Sequence, residues 1–350
     1  MSVVMEQSLP YSIISKITGC YDNVISIENS ERISGGDWND VYCLYKQNGD
    51  KLVLRIMHPS YKKEGIDFTN RFALYASKII PEAVSPLCKK DGSSIIDFRE
   101  RYACLFPFKE GSYSDRTNPA HRDDAARILA ELHKAGISYT DKTPRPDRFP
   151  LASLDLEQNH YYNWDKTDSM LKKGGRTLLE DPFHQNEKDQ FVIQEIITLS
   201  SVVYEAKNEF NKLQISLNQR DDLARAPVHG DLYGRNILVV NDKISAVIDW
   251  DECAIELLVY ELARTAWEYC KDTATFNFDK GMLTRFLTVY KDSRGPVPEE
   301  HWRFMVPLLR FLKYLEVMLY LHNSIIGYNW IPSYGLENLK ALINLKSFQL

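Results

Sequence analysis

The sequence predicts an α+β protein in two parts: a small, mostly antiparallel β-sheet lobe followed by a larger, mainly helical lobe. Three observations carry that expectation. Apolar runs of strand length alternate with turn residues up to about residue 108. Beyond that point apolar residues recur at helical spacing. Residues 228–252 interrupt the helical pattern with two short strand-like runs set among carboxylates.

The first lobe is read in order from residue 24. "VISIENSERI" has β-type residues followed by polar ones, "SGGDWND" is a glycine-containing turn, and "VYCLYKQNGDKLVLRI" holds two apolar runs flanking Asn48-Gly49, a strong hairpin signal. Strand, turn, strand, hairpin and strand are therefore expected between about 24 and 57. "DFTNRFALYASKII" has helical spacing, and "SSIIDF" and "RYACLFPF" read as two further strands. A linker near 108–112 follows. In the second lobe, "DDAARILAELHKAG" predicts a helix with acidic residues in its first turn and Gly136 as its stop. "TPRPDRFP" is a proline-rich break. Residues 188–214, "IELLVYELARTAWEYC" and about 280–323 are helical in period. No internal repeat or low-complexity tract is present.

Bulk properties narrow the function classes. The 350 residues carry 43 Lys and Arg against 48 Asp and Glu, a net charge of −5, which argues against a general affinity for nucleic acid or anionic membranes. The six cysteines form no CxxC pair, so a zinc site or disulfide framework is not expected, and reduced thiols in a cytoplasmic protein are the simple reading. The N-terminus lacks a basic region followed by an apolar one, so no signal peptide is expected. Residues 304–322 are strongly apolar, but Arg310, Lys313 and Glu316 interrupt them, which suits a core helix better than a membrane span.

The chemistry is concentrated in "VHGDLYGRNILVVNDKISAVIDWDE", residues 228–252. A solvated loop does not need its apolar runs, and a buried strand disfavours carboxylates unless they are paired or metal-bound. "NILVV" and "ISAVI" pair as a hairpin across "NDK", which returns Asp249 to the side of Asn236. An amide oxygen and a carboxylate are hard ligands, and a few such ligands plus phosphates are the usual environment of Mg²⁺. Asp231 can accept a proton from a substrate hydroxyl. Metal to neutralise phosphate charge and a carboxylate to orient the nucleophile are what phosphoryl transfer requires. The alternative for these three residues is a set of turn and cap positions, which Asn and Asp favour.

"HGDLYGRNIL" followed by "VIDWDE" resembles the signature of the aminoglycoside phosphotransferase superfamily, which includes choline kinases and type II homoserine kinases and is similar in fold to protein kinases. The likeness extends over about residues 20–270. It implies a nucleotide-binding lobe at 1–108 and a catalytic and substrate-binding helical lobe at 109–350. It implies transfer of the γ-phosphoryl of ATP or GTP to the hydroxyl of a small molecule, with Asp231 as base or orienter and Asn236 and Asp249 on Mg²⁺. "SGGDWN" sits where the family covers the phosphates, which makes Gly35 and Gly36 candidates there, although an ordinary hairpin turn is the alternative. "LVLRI" is similar to the strand supplying a basic residue, here Arg55 where protein kinases have Lys, and an exposed strand residue is the alternative. "ACLFPFKEG" resembles the hinge that meets adenine, which points to Phe106 and Phe108.

Two departures from the family pattern concern acidic residues. No helix glutamate is evident as the partner of Arg55; Glu64 and Asp67 are the candidates. Where the family usually has Asp, "YELA" gives Glu261, expected to brace the catalytic loop. His229 is expected to tie that loop to a backbone or carboxylate group. Asp251 could touch a second metal or a substrate amine, and Glu268 and Glu316 could contact a substrate amine, with solvated or core-paired carboxylates as the alternative. Glu252, Glu256, Glu268 and Asp272 read mostly as one helix's wet face, with the lining of a cationic pocket as the alternative. The aromatics Trp267, Tyr269, Trp302, Tyr314 and Tyr320 read as core. The acceptor implied first is an amino alcohol or hydroxy amino acid, then an aminoglycoside-type antibiotic, then a protein or peptide serine. A nucleotide-binding regulatory pseudokinase is the alternative outside catalysis.

Overall fold

The computed structural model describes residues 8–21, 26–33, 39–141, 143–148, 150–151, 187–325 and 332–350. The chain forms two compact units, Met1–Arg148 with Ala226–Ile255, and Phe149–Arg225 with Glu256–Leu350.

In the first unit, helix α1 (Tyr11–Thr18) precedes strands β1 (Ile27–Arg32), β2 (Asp40–Lys46) and β3 (Lys51–Ile56). Helix α2 (Lys63–Ala76) follows, then β4 (Ile96–Phe98) and β5 (Arg101–Pro107). The five strands make one antiparallel sheet in the order β1-β2-β3-β5-β4. The hairpin between β2 and β3 turns at Gly49, whose φ of 86° lies in the left-handed region that glycine enters at little cost.

Strand alternation sorts β3 into two faces. Leu52, Leu54 and Ile56 are buried in a cluster with Ile14 and Ile17 of α1, Leu44 of β2 and Leu105 of β5. Arg55 points the other way. Its register partners are Val41 and Cys104, and Cys104 packs with Ile66 of α2, Ile95 and Met57. The one basic residue in the middle of β3 therefore lies on the face where α2 packs.

Strand β6 (Ser112–Tyr113) leads to α3 (Pro119–Ser138). This helix starts a turn earlier than the sequence suggests. Asn118 accepts a hydrogen bond from the Ala120 N–H at 2.9 Å, and Pro119 presets the backbone at the first helical position. Asp123 and Asp124 thus fall in the second turn, and Gly136 lies inside the helix instead of ending it. Its reason is close packing: a Cβ there would meet the Pro227 carbonyl oxygen at 2.4 Å.

Strand β7 (Arg225–Val228) brings the chain back to the first unit, and β8 (Ile237–Val240) and β9 (Lys243–Val247) form the expected hairpin. The turn is only two residues long. Asn241 and Asp242 have φ of 52° and 58°, the left-handed pair that matches strand twist in tight hairpins. With β6 these strands make a three-stranded sheet, β6-β8-β9. Strand β10 (Ala254–Leu257) leaves the unit.

The described helices of the second unit are α4 (Glu187–Thr198), α5 (Ser200–Asn218), α6 (Leu258–Cys270), α7 (Lys280–Asp292), α8 (Met305–Ile325) and α9 (Pro332–Asn344). The continuous period over 188–214 belongs to two helices, α4 and α5. Helix α8 contacts α5, α6 and α9, burying Leu308, Phe311, Tyr314, Val317 and Leu321. Its charged residues are paired: Arg310 with Glu209, and Lys313 with Glu316 at 2.7 Å. Trp267, Tyr269, Tyr314 and Tyr320 are buried, while Trp302 in the turn Glu299–Phe304 is partly exposed. Among the described residues, no helix is long and apolar enough to cross a membrane.

Candidate active site

The hairpin β8–β9 builds the site from its open end. The Ile248 N–H donates to the Asn236 carbonyl at 2.9 Å, so the residue before Asp249 is held against Asn236. A single 3₁₀ turn, Gly234–Asn236, precedes β8 and aims the Asn236 side chain back along the loop. There its Nδ2 donates to the Asp231 carbonyl at 2.9 Å and to Asp231 Oδ2 at 3.0 Å. With both amide protons spent on Asp231, the remaining donor atom for a cation is the carboxamide oxygen, a hard ligand.

His229 is fully buried. Its Nε2 lies 3.0 Å from the Ile248 carbonyl, and its Nδ1 accepts the Asp231 N–H at 3.2 Å. These partners assign the proton to Nε2. The ring ties the loop carrying Asp231 to the strand end carrying Asp249. It packs 4.7 Å from the Trp250 ring, and Trp250 Nε1 donates to the Val84 carbonyl at 2.9 Å. Between His229 and Asp231, Gly230 has φ of 83°, and a Cβ there would meet the Glu252 carbonyl oxygen at 2.3 Å. No other residue fits that position without displacement.

Asp249 also occupies the left-handed region, with φ of 66°. A non-glycine residue there is uncommon, although Asp tolerates it better than most, and such positions cluster at functional sites. Its Oδ1 accepts from Arg55 Nη2 at 2.8 Å. Burial alone would raise its carboxyl, but the Arg55 charge and hydrogen bond outweigh burial and hold it below the usual carboxylate range.

Arg55 Nη2 is shared with Asp251 Oδ2, at 2.5 Å. The same Asp251 oxygen accepts from Asn39 Nδ2 at 2.8 Å and from the Tyr61 hydroxyl at 3.0 Å. Burial raises the Asp251 carboxyl, Arg55 opposes this and the charge of Asp249 adds to it. The Asp251 main-chain carbonyl accepts from Arg145 at 2.5 Å, and Arg145 also bonds the Cys253 carbonyl at 3.1 Å. Arg145 of the proline-rich break thus ties that segment to the chain just past Asp249.

The structure brings Arg55, His229, Asp231, Asn236, Asp249 and Asp251 together. The Arg55 side chain is only 13 % exposed and its Nη2 is paired with two carboxylates, where the sequence left open an exposed strand residue. Its partners are Asp249 and Asp251, while Asp67 is paired with Arg71 at 2.8 Å. Asn39, Tyr61 and Arg145 were not anticipated. Asn39 had a signal of position, at the end of the glycine-containing turn; Tyr61 had none. Gly35 and Gly36 lie outside the described residues. Phe106 is on β5 opposite Val53, and Phe108 lies just past its end with Lys51 Nζ 4.8 Å from its ring centre.

The second unit holds the other candidates. Glu261 is buried on α6. Glu268 pairs with Lys271 at 2.8 Å and Glu316 with Lys313 at 2.7 Å. Glu256 corrects the wet-face reading. It lies on β10, is only 7 % exposed, and accepts the N–H groups of Leu151 at 2.6 Å and Leu257 at 2.7 Å. Burial pushes its carboxyl up to about 7. Glu252 pairs with Arg148, and Asp272 accepts from Ala274 and Thr275.

The donor set around Asn236 and Asp249 is all oxygen and small in number. Among the described residues no group of three or more His, Cys, Asp or Glu is arranged to hold a metal. An amide oxygen and a carboxylate oxygen suit a hard cation that takes further ligands from phosphates and water, as Mg²⁺ commonly does.

The sequence profile of the phosphotransferase enzyme family (APH) matches residues 30–301. A homoserine kinase of Rhizobium etli is 28 % identical over 270 residues, covering 77 % of this chain and 72 % of that protein. Among solved structures, an amicoumacin kinase bound to AMP-PNP and Ca²⁺ superimposes with a TM-score of 0.65 at 13 % identity, covering 97 % of this chain and 96 % of that one. A spectinomycin phosphotransferase bound to ADP and spectinomycin gives 0.62 at 15 % identity, covering 96 % and 94 %. These two likenesses establish a shared protein-kinase-like fold.

Proposed function

Because the chain belongs to the phosphotransferase enzyme family, we propose that Asp231, Asn236 and Asp249 serve transfer of the γ-phosphoryl of ATP to the hydroxyl of an amino alcohol or hydroxy amino acid. The chain is an ATP-dependent small-molecule O-phosphotransferase. The observation that supports the finer assignment is the Ile248–Asn236 hydrogen bond at 2.9 Å, which sets the two proposed cation ligands side by side next to Asp231.

In this reading Asp231 orients the acceptor hydroxyl and takes its proton as the phosphoryl group moves. The Asn236 amide, spent on Asp231, fixes that carboxylate without neutralising it. The Asn236 side-chain oxygen and Asp249 would hold Mg²⁺, which when bound neutralises phosphate charge. Arg55 binds nucleotide phosphates; its fork can grip two oxygens at once. Gly35 and Gly36 cover the phosphates, and the segment around Phe106 and Phe108 receives the base, adenine first and guanine second. Nucleotide binding is assigned to residues 1–108, and catalysis and acceptor binding to 109–350. His229 and Glu261 support the site structurally. Positioning and charge stabilisation supply most of the rate in such a reaction.

The acceptor class rests on the likeness to homoserine kinase and on charge. Glu268 and Glu316, candidates for an acceptor amine, each carry a lysine partner. Ion pairs suit a singly charged amine better than a polycation, which would need several bare carboxylates. An aminoglycoside is the second reading, favoured by the fold shared with the spectinomycin phosphotransferase. The test is ADP release from MgATP across homoserine, choline, other amino alcohols, sugars and aminoglycosides. Turnover of a small amino alcohol or hydroxy amino acid is expected. Turnover confined to aminoglycosides would replace the first reading by the second.

A further inference from the structure

We infer that Asp251 is a positioning residue: it holds Arg55 in place for the nucleotide phosphates, in the role a helix carboxylate would otherwise fill. This rests on the nucleotide-binding reading of Arg55 above.

Three features of the structure support it. First, neither helix candidate is the partner of Arg55: Asp67 pairs with Arg71 on its own helix and Glu64 is exposed, while Arg55 bonds Asp249 and Asp251. Second, Asp251 is built to stay put. Its Oδ2 collects Arg55, Asn39 and Tyr61, and its main-chain carbonyl is held by Arg145. Asn39 is itself fixed, since its side-chain oxygen accepts the His58 N–H at 2.9 Å. Third, exposure divides the two carboxylates that share Arg55. The Asp251 side chain is 14 % exposed and that of Asp249 is 42 %. The less exposed carboxylate is taken up by three protein donors, whereas the more open one has solvent-facing surface for an incoming ligand.

The consequence is a division of tasks within "IDWD". A bare Arg55–Asp249 pair would set the basic residue against the cation for one carboxylate. With Asp251 as the second station, Arg55 keeps a partner when Asp249 turns to a metal. The guanidinium is then held on the strand end that carries the metal ligand, and not by α2. Asp251 is accordingly not assigned to an acceptor amine.

The experiment is a double-mutant cycle on the full chain, read as MgADP affinity by isothermal titration calorimetry, with Asp251→Asn, Arg55→Met and the double variant. Circular dichroism melting confirms folding. Asp251→Asn keeps the shape of the side chain and removes its charge. If Asp251 acts through Arg55, each single variant weakens MgADP about tenfold, and the double variant is no weaker than Arg55→Met alone. Tyr61→Phe, which removes one donor and keeps the ring, weakens binding by about twofold to threefold, and serves if Asp251→Asn does not fold. Wild-type affinity in the folded Asp251→Asn protein, or in Tyr61→Phe where that variant stands in, overturns the inference. So do single-variant losses that multiply in the double variant. Either result leaves the kinase reading standing. Failure of the wild-type protein to bind MgADP at all would overturn both.

Discussion

The Asn236 carboxamide donates to the Asp231 carboxylate at 3.0 Å, five residues away along the chain. One side chain thereby orients the proposed base with its nitrogen and leaves its oxygen for a cation. The two tasks should separate on substitution. Asp231→Ala is expected to abolish turnover, and Asp231→Asn to lower kcat by about 10²–10⁴ with MgATP binding nearly unchanged. Asp249→Ala is also expected to abolish turnover, but through lost metal–nucleotide binding. Coupled ADP-release kinetics and calorimetry with MgADP distinguish the cases. A folded variant of either residue that kept most of its activity would refute its proposed role.

Gly230 predicts a stability effect with a clear geometric cause. Its φ of 83° and the Glu252 carbonyl at 2.3 Å from a hypothetical Cβ make two independent penalties. Gly230→Ala is expected to destabilise the protein by about 2–4 kcal/mol. Urea denaturation followed by tryptophan fluorescence measures it.

Trp250 fixes the same strand end from below. Its Nε1 hydrogen bond to Val84 is buried, and Phe in its place leaves that carbonyl without its donor. Trp250→Phe is expected to lower stability by about 1–3 kcal/mol, read as a fall in the urea midpoint at constant slope. Because the ring also packs on His229, kcat should fall with it.

Glu256 predicts a pH dependence of stability. Its folded pKa of about 7 lies above the ordinary glutamate value of 4.5. Between those values the folded state binds the extra proton, so stability falls as pH rises through the window. Below the lower value the contribution is constant, and above about 7 the full penalty of the buried charge is present. Glu256→Gln should reduce the difference in Tm between pH 5 and pH 8 relative to wild type. At acid pH the variant should be the less stable protein, since its single carboxamide oxygen can accept from only one of Leu151 and Leu257 and its NH2 group would face the other N–H.

By itself the sequence determined what is local. The hairpin and the return of Asp249 to Asn236 are legible because two apolar runs of strand length flank a short polar turn; the turn itself is two residues long where the sequence suggested three, and the ladder shifts register between Leu238 and Val239. The order of strands β1–β5 and the helical character of residues after 108 followed from the same short-range periodicities. What only the tertiary structure decided joins distant positions. Arg55 meets Asp249 and Asp251 across 194 and 196 residues, and Asn39 and Tyr61 reach the same carboxylate across 212 and 190. Nothing near any of these residues announces its partner. The same holds for Gly136, kept small by Pro227, and for Glu256, buried against Leu151. A side chain's period tells which face it occupies; which charge compensates it depends on what the folded chain places opposite.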